Sequence, residues 1–258
     1  MPLLTWNMQG ATASGENVWF DIWRLIETME LDVVCLQESG EVPQGTTEEE
    51  FRLGNGVTVF RWFRQRNPEH ARGKIKELYI TQYPWDQGAN RVHMAVVTRR
   101  KPAKSNIRLL PEHPSKTNPR RPLLGVNVRD AVNPRWYFTA HTPGNRRSGN
   151  PELDQVMLLR MVNTEYADQQ WVVAGDYNKD PNDLQRAISS LAPKVAFSGI
   201  NICPPDHFTQ KSGNRLDYAV VPGPTGRTTV HDKCTGHVLK VGLDFANSDH
   251  APVYYQDL

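Results

Sequence analysis

Trp171-Val172-Val173-Ala174 is a continuous apolar run that breaks without transition into Gly175-Asp176-Tyr177-Asn178. A short run of β-branched and aromatic residues closed by a turn signal predicts a strand buried on both faces. Its abrupt end leaves a carboxylate and an amide at the strand tip, where such groups lose hydration unless paired or bound to a cation. Upstream, residues 151–166 place Leu153, Val156, Met157, Arg160 and Met161 at helical spacing behind Pro151 and Glu152, good first-turn residues. Before that helix, Trp136-Tyr137-Phe138-Thr139-Ala140 predicts a second strand, ending in His141.

The same strand–helix–strand plan opens the chain. Leu3-Leu4-Thr5-Trp6-Asn7 predicts a strand, and residues 17–30 carry Trp19, Ile22, Trp23, Ile26 and Met29 at helical spacing. Asp32-Val33-Val34-Cys35-Leu36 then predicts a buried strand ending in Gln37-Glu38. Further strands are expected at 57–63, 76–82, 91–98, 123–129, 216–221, 237–243 and 252–255. A helix is expected at 181–191 with Leu184, Ile188 and Leu191 on one face, and loops at 64–75 and 142–150. Many strands with few helices predict two packed sheets with helices outside them. No repeat, low-complexity tract or linker divides the chain, so residues 1–258 read as a single domain.

The 258 residues are 38% apolar, enough for a sizeable core. No stretch approaches the ~18 apolar residues of a membrane span. Met1 leads straight into Leu3-Leu4-Thr5-Trp6 with no basic region and no cleavage site, so the expectation is a cytosolic protein or one that has lost its leader. The three cysteines exclude a disulfide framework. Cys35 reads as a buried core thiol, and Cys203–Cys234 remains available for one bridge in a secreted protein. Charge is uneven: residues 1–50 carry a net −9, residues 51–147 a net +15 and residues 148–258 a net −4. A basic middle suits either a polyanion-binding face or solvated loop charges. Arg61-Trp62-Phe63-Arg64-Gln65-Arg66 fits a DNA track or an edge strand with solvated arginines. Arg99-Arg100-Lys101, Arg120-Arg121 and Arg146-Arg147 leave the same choice open.

Asn7, Glu38, His141, Asp176, Asn178, Asp217, Asp249 and His250 all fall at or beside the ends of expected strands. Oxygen donors of this kind suit Mg²⁺, which takes one or two carboxylates and keeps places for water and substrate phosphate. Two histidines supply a general base and a general acid, a carboxylate orients one of them, and an arginine grips a phosphate. Zinc is disfavoured because no HExxH or closely spaced ligand pair occurs, and no GxSxG elbow supports a serine hydrolase.

Taken in order, Trp6-Asn7-Met8-Gln9-Gly10, Leu36-Gln37-Glu38, Thr139-Ala140-His141, Gly175-Asp176-Tyr177-Asn178, Leu216-Asp217-Tyr218 and Ser248-Asp249-His250-Ala251-Pro252-Val253 resemble the endonuclease/exonuclease/phosphatase superfamily. Within it, Gln37-Glu38-Ser39-Gly40-Glu41-Val42-Pro43, Gly88-Ala89-Asn90-Arg91-Val92 and Ser212-Gly213-Asn214-Arg215-Leu216-Asp217-Tyr218 are similar to the catalytic B subunits of cytolethal distending toxins. The resemblance implies a deoxyribonuclease-I-like fold: a four-layer α/β/β/α sandwich of two mixed β-sheets flanked by helices, with the site at one edge.

By the same resemblance Glu38, Asn7 and Asp249 belong to the metal site. His250 is the general base and Asp217 the carboxylate that orients it, while His141 is the second catalytic histidine. Asp176 and Asn178 stand at the scissile phosphate, with Arg91 and Asn7 also binding it. The implied cofactor is Mg²⁺, with Mn²⁺ or Ca²⁺ as substitutes. The implied partners are DNA and the lectin-like or other delivery subunits of a secreted toxin that acts in the nucleus of a target cell. The implied reaction is DNA nicking by water attack, and a phosphoinositide phosphatase using the same metal and histidines is the alternative.

Overall fold

A computed structural model describes residues 1–9, 16–43, 47–63, 75–85, 93–111, 121–129, 134–143, 151–191, 199–224, 228–230, 234–239, 248–256 and 258. The chain opens with β1 (Leu3–Asn7), α1 (Glu16–Thr28) and β2 (Val33–Gln37). Then follow β3 (Thr47–Arg52), β4 (Thr58–Phe63), β5 (Glu77–Tyr83), β6 (Met94–Thr98), β7 (Ile107–Leu110) and β8 (Leu123–Arg129). The second half holds β9 (Pro134–His141), α2 (Pro151–Glu165), β10 (Gln170–Asp176) and α3 (Pro181–Leu191). It closes with β11 (Ile200–Cys203), β12 (Asp217–Pro222), β13 (Thr228–Val230), β14 (His237–Val238) and β15 (Val253–Tyr255).

These strands form two mixed sheets, ordered β14-β15-β1-β2-β6-β5-β4-β3 and β13-β11-β12-β10-β9-β8-β7. Alternation along a strand explains the layers. Leu3, Val33 and Cys35 face a core shared with Tyr137, Val172 and Ala174 of the other sheet. Leu4, Val34 and Leu36 face outward and are covered by Trp19, Ile22 and Ile26 of α1. Phe138 and Val173 face the opposite outer side, under Val156 and Leu159 of α2 and Leu184 and Ile188 of α3. Central strands buried on both faces read as unbroken apolar runs for this reason. Trp19 and Trp23 meet Trp62 edge-on, with ring centroids 5.5 and 4.8 Å apart.

Two parallel pairs place the chemistry. β1 lies parallel to β2, with Asn7 opposite Gln37. β9 lies parallel to β10, with His141 opposite Asp176. Each pair is joined by a crossover containing a helix, which parallel neighbours require.

The structure departs from the sequence expectations in several places. The buried side of α2 carries Gln155, Val156, Leu159, Val162 and Asn163, whereas Leu153, Met157 and Met161 are only partly buried. β3, β7, β11 and β13 are strands that the sequence reading does not predict. β3 has the sequence Thr-Glu-Glu-Glu-Phe-Arg, a charged edge strand of the kind that blocks edge-to-edge pairing. Cys203 is joined to Cys234 in a disulfide with Cα atoms 5.1 Å apart, and Cys35 is a buried free thiol. Residues 64–74, 144–150, 91–92 and 240–243, assigned to loops and strand ends from the sequence, lie outside the described residues. No helix among the described residues is long and apolar enough to cross a membrane.

Candidate active site

The C-terminal ends of β1, β2, β9 and β10 and the start of β12 meet at one edge of the sandwich. Asp217 pairs across β12 and β10 with Asp176, and His250 bridges to Gln210 just before β15. The backbone turns sharply as it leaves these strands. Gln9, Glu38 and Asn178 take positive φ of 59°, 49° and 48°, a left-handed conformation uncommon outside glycine and concentrated at functional sites. Each turn is held by hydrogen bonds. Gln9 N donates to Asn7 Oδ1 at 3.0 Å, Ser39 N to His93 O at 3.0 Å, and Asn178 N to Asp176 Oδ1 at 2.7 Å. Gly175 cannot be replaced without moving strands, because a Cβ there would lie 1.9 Å from Ala140 O.

Around this edge the side chains converge. His250 Nδ1 is 2.7 Å from Asp217 Oδ2, so the ring donates from Nδ1 and turns Nε2 toward the other carboxylates. That Nε2 lies 3.6 Å from Asp249 Oδ1 and 4.0 Å from Asp176 Oδ2. His141 Nε2 lies 3.4 Å from Glu38 Oε1 and 3.7 Å from Asp176 Oδ2. Asn7 Nδ2 donates to Asp176 Oδ2 at 2.8 Å. Asn178 Nδ2 donates to Thr142 O at 2.7 Å. Behind these loops Gln155 donates to Thr142 Oγ1 at 2.8 Å and to Tyr177 O at 2.7 Å. Tyr177 stacks on Tyr218 at 4.3 Å, tying the Asp176 loop to β12.

The electrostatics follow from burial and crowding. Burial, then the charge of Asp217, push the Asp176 carboxyl up to about 7, against the opposing charge of His250 and hydrogen bonds from Asn7 and Asn178. Burial also raises the Glu38 carboxyl, opposed first by Arg121. Burial alone would lower His250, but the Asp217 hydrogen bond and the surrounding carboxylates outweigh it and lift the imidazole to about 9. His141, buried and facing Arg121 and His250, is held well below the usual histidine range and is neutral.

Carboxylates raised by crowding and burial lack positive charge, which is the condition a divalent cation relieves. The donor set is hard oxygen, as Mg²⁺, Mn²⁺ or Ca²⁺ require. Ligand atoms of Asp176, Asp217 and His250 lie within 4.8 Å of one another. His250 spends Nδ1 on Asp217, however, so that trio is better described as a carboxylate-oriented histidine beside Asp176. Glu38, with Asn7 and Asp249 at hand, is the freer cation ligand.

All eight residues read from the strand ends therefore meet at this edge. Arg91 lies outside the described residues, as do Arg64, Arg66, Arg120, Arg146 and Arg147. Other basic residues serve the scaffold. Arg99 donates to Leu31 O and Ile26 O at the end of α1, and Arg61 pairs with Glu50 at 2.8 Å. Sequence reasoning left one member of the site undecided. Arg121 is charge-coupled to Glu38 and Asp176, and its Nη1 is buried with no hydrogen-bond partner among the described residues. One nitrogen of this half-buried guanidinium is thus left with an unmade hydrogen bond on the side chain whose charge offsets those of Glu38 and Asp176. The only sequence signal was an Arg pair just ahead of β8, indistinguishable from a solvated loop.

The family model for the endonuclease/exonuclease/phosphatase family matches residues 4–250, and the chain belongs to that family. It is accordingly a hydrolase acting on phosphoester bonds. Within the family it is similar to the Salmonella typhi homolog of the cytolethal distending toxin B subunit, with 28% identity over 231 residues, 85% of this chain and 78% of the relative. The cytolethal distending toxin B subunit of Escherichia coli is 28% identical over 257 residues, 96% of this chain and 88% of the relative. The solved structure of the Haemophilus ducreyi cytolethal distending toxin matches with a TM-score of 0.75 and 26% identity, covering 98% of this chain and 96% of that one.

Proposed function

We propose that this protein is a Mg²⁺-dependent endonuclease that nicks DNA, comparable in activity to the toxin B subunits it is similar to, with residues 1–258 acting as one domain. The observation that carries the reading is the meeting of Glu38, His141, Asp176, Asp217 and His250 at one edge of the sandwich in a chain of this family.

Glu38, Asn7 and Asp249 would hold the cation, which when bound neutralises charge developing on the scissile phosphate. His250 takes the proton of the attacking water through Nε2 while Asp217 fixes the ring and stabilises the imidazolium. For this His250 must enter the reaction neutral, and a dication among the carboxylates lowers its proton affinity. His141, neutral and directed by Nε2 toward the reacting centre, donates a hydrogen bond to the phosphate; to protonate the leaving oxygen it must first take up a proton, which a bound phosphodiester anion favours. Asn178, Asn7, Arg91 and Arg121 hold the phosphate, and Asp176 orients Asn7 and Asn178. Lectin-like or other delivery subunits and action in the nucleus of a target cell belong to the same proposal. The Cys203–Cys234 disulfide supports it, since such bridges persist in secreted proteins.

The test is nicking of supercoiled plasmid. Purified protein should nick with Mg²⁺ and stop with EDTA, and His141→Ala or His250→Ala should lower the rate by about 10²–10⁴-fold. Phosphate release from soluble phosphoinositides by a protein that leaves plasmid intact would replace DNA with that substrate.

A further inference from the structure

The core between the two sheets is apolar along most of its length and becomes polar at the end beneath the site. Thr5, Gln37 and Thr139 are each fully buried there. Gln37 Nε2 donates to Thr139 Oγ1 at 2.8 Å and approaches Thr5 Oγ1 at 3.2 Å, and Thr139 Oγ1 donates to Leu36 O at 3.1 Å. Thr5 and Gln37 stand on neighbouring strands of one sheet, and Thr139 stands on β9 of the other. These contacts therefore cross the sandwich.

Their place in the chain matters. Gln37 is joined directly to Glu38. Thr139 precedes His141 by two residues, so the two share a face of β9. Burying an amide and two hydroxyls has a cost that hydrogen bonding only roughly offsets, and apolar side chains would fill this space as well. What the polar set adds is direction. Two sheets held by apolar contact alone keep freedom to slide, because that attraction is non-directional, whereas a satisfied buried network fixes one arrangement. The distance exposed to such sliding is the 3.4 Å between Glu38 Oε1 and His141 Nε2, whose residues come from different sheets.

We propose that Gln37 is a positioning residue: by locking the end of β2 to Thr139 it sets Glu38 against His141 and Asp176 and so shapes the cation site. This rests on the reading of that site as one that binds a divalent cation. The test combines calorimetric titration with Mn²⁺ and thermal melting of the metal-free protein. The samples are wild type, Gln37→Met, Thr139→Val, their double mutant and Thr139→Ser. Gln37→Met and Thr139→Val should each weaken Mn²⁺ binding by about tenfold, the scale seen when groups that orient metal ligands are removed. The double mutant should be no weaker than either single, because both break one interaction. Thr139→Ser, which keeps the hydroxyl, should bind as wild type does, and melting points should stay within a few degrees. Single mutants that bind Mn²⁺ normally, or losses that follow melting temperature instead of the shared hydrogen bond, overturn the inference. A wild-type protein that binds no Mn²⁺ removes the cation reading itself, and this inference with it.

Discussion

Asp176 shows how the site trades stability for chemistry. Its carboxyl is raised from 3.8 to about 7, so the folded protein holds that proton more tightly than the unfolded chain does. The contribution of this group to stability is largest below pH 3.8, shrinks as pH rises, and becomes a full cost above about 7. His250 has the same sign by another route. Raised from 6.5 to about 9, it adds stability that is complete below pH 6.5 and lost as pH climbs through 9. Metal-free protein should therefore melt at progressively lower temperature between pH 6.5 and 9, and a divalent cation should flatten that decline. At pH 8 without metal, Asp176→Asn should melt at or above the wild-type temperature while losing nicking by at least about 10²-fold. A fall of several degrees on scanning calorimetry would contradict this sign. The eight polar residues of the site were legible because each sits in a short motif at a strand end. Arg121 was not, because a pair of arginines before a strand looks the same in sequence whether it faces water or two carboxylates.

Among the elements, α2 is the most instructive. Its limits were readable from Pro151 and the apolar spacing, but its buried face was not. Leu153, Met157 and Met161 form one apolar stripe and Val156, Leu159 and Val162 another, so periodicity alone does not choose between them. Tertiary contact chooses. Gln155 must turn inward to donate to Thr142 Oγ1 and Tyr177 O behind the loops that carry His141 and Asp176, and that rotation carries Leu159 into the core. Leu159→Ala should then cost roughly 2–5 kcal/mol in urea unfolding. Met157→Ala, on the partly buried stripe, should stay within about 1 kcal/mol. Equal losses would mean that Met157 is seated as deeply as Leu159. β3 escaped sequence reading for a different reason: three consecutive glutamates suppress every strand signal, and only pairing with β4 reveals the element.

Across the whole molecule, the Cys203–Cys234 bridge ties the end of β11 to the segment leading into β14, which pairs with β15 immediately after His250. It closes a sequence separation of 31 residues, which by chain entropy corresponds to roughly 2–4 kcal/mol. Reduction should lower the melting temperature by several degrees, and Cys203→Ser should do the same without reductant. A melting curve indifferent to reductant would remove the bridge from the stability of the fold. The basic middle of the chain also acquires its meaning only at this scale. Arg61, Arg99 and Lys101 are occupied with Glu50 and with the end of α1, while Arg121 is the one among these whose charge is coupled to Glu38 and Asp176. By itself the sequence determined the strand–helix–strand units, the layered class and the identity of the polar residues, because burial pattern and turn chemistry are local. Only the tertiary structure decided which carboxylate faces which histidine, which side of α2 is buried, and which arginine is charge-coupled to Glu38 and Asp176. Those depend on separations of a few ångströms between residues far apart in the chain, as when Trp6 Nε1 donates to His250 O across 244 positions, and no local pattern encodes such distances.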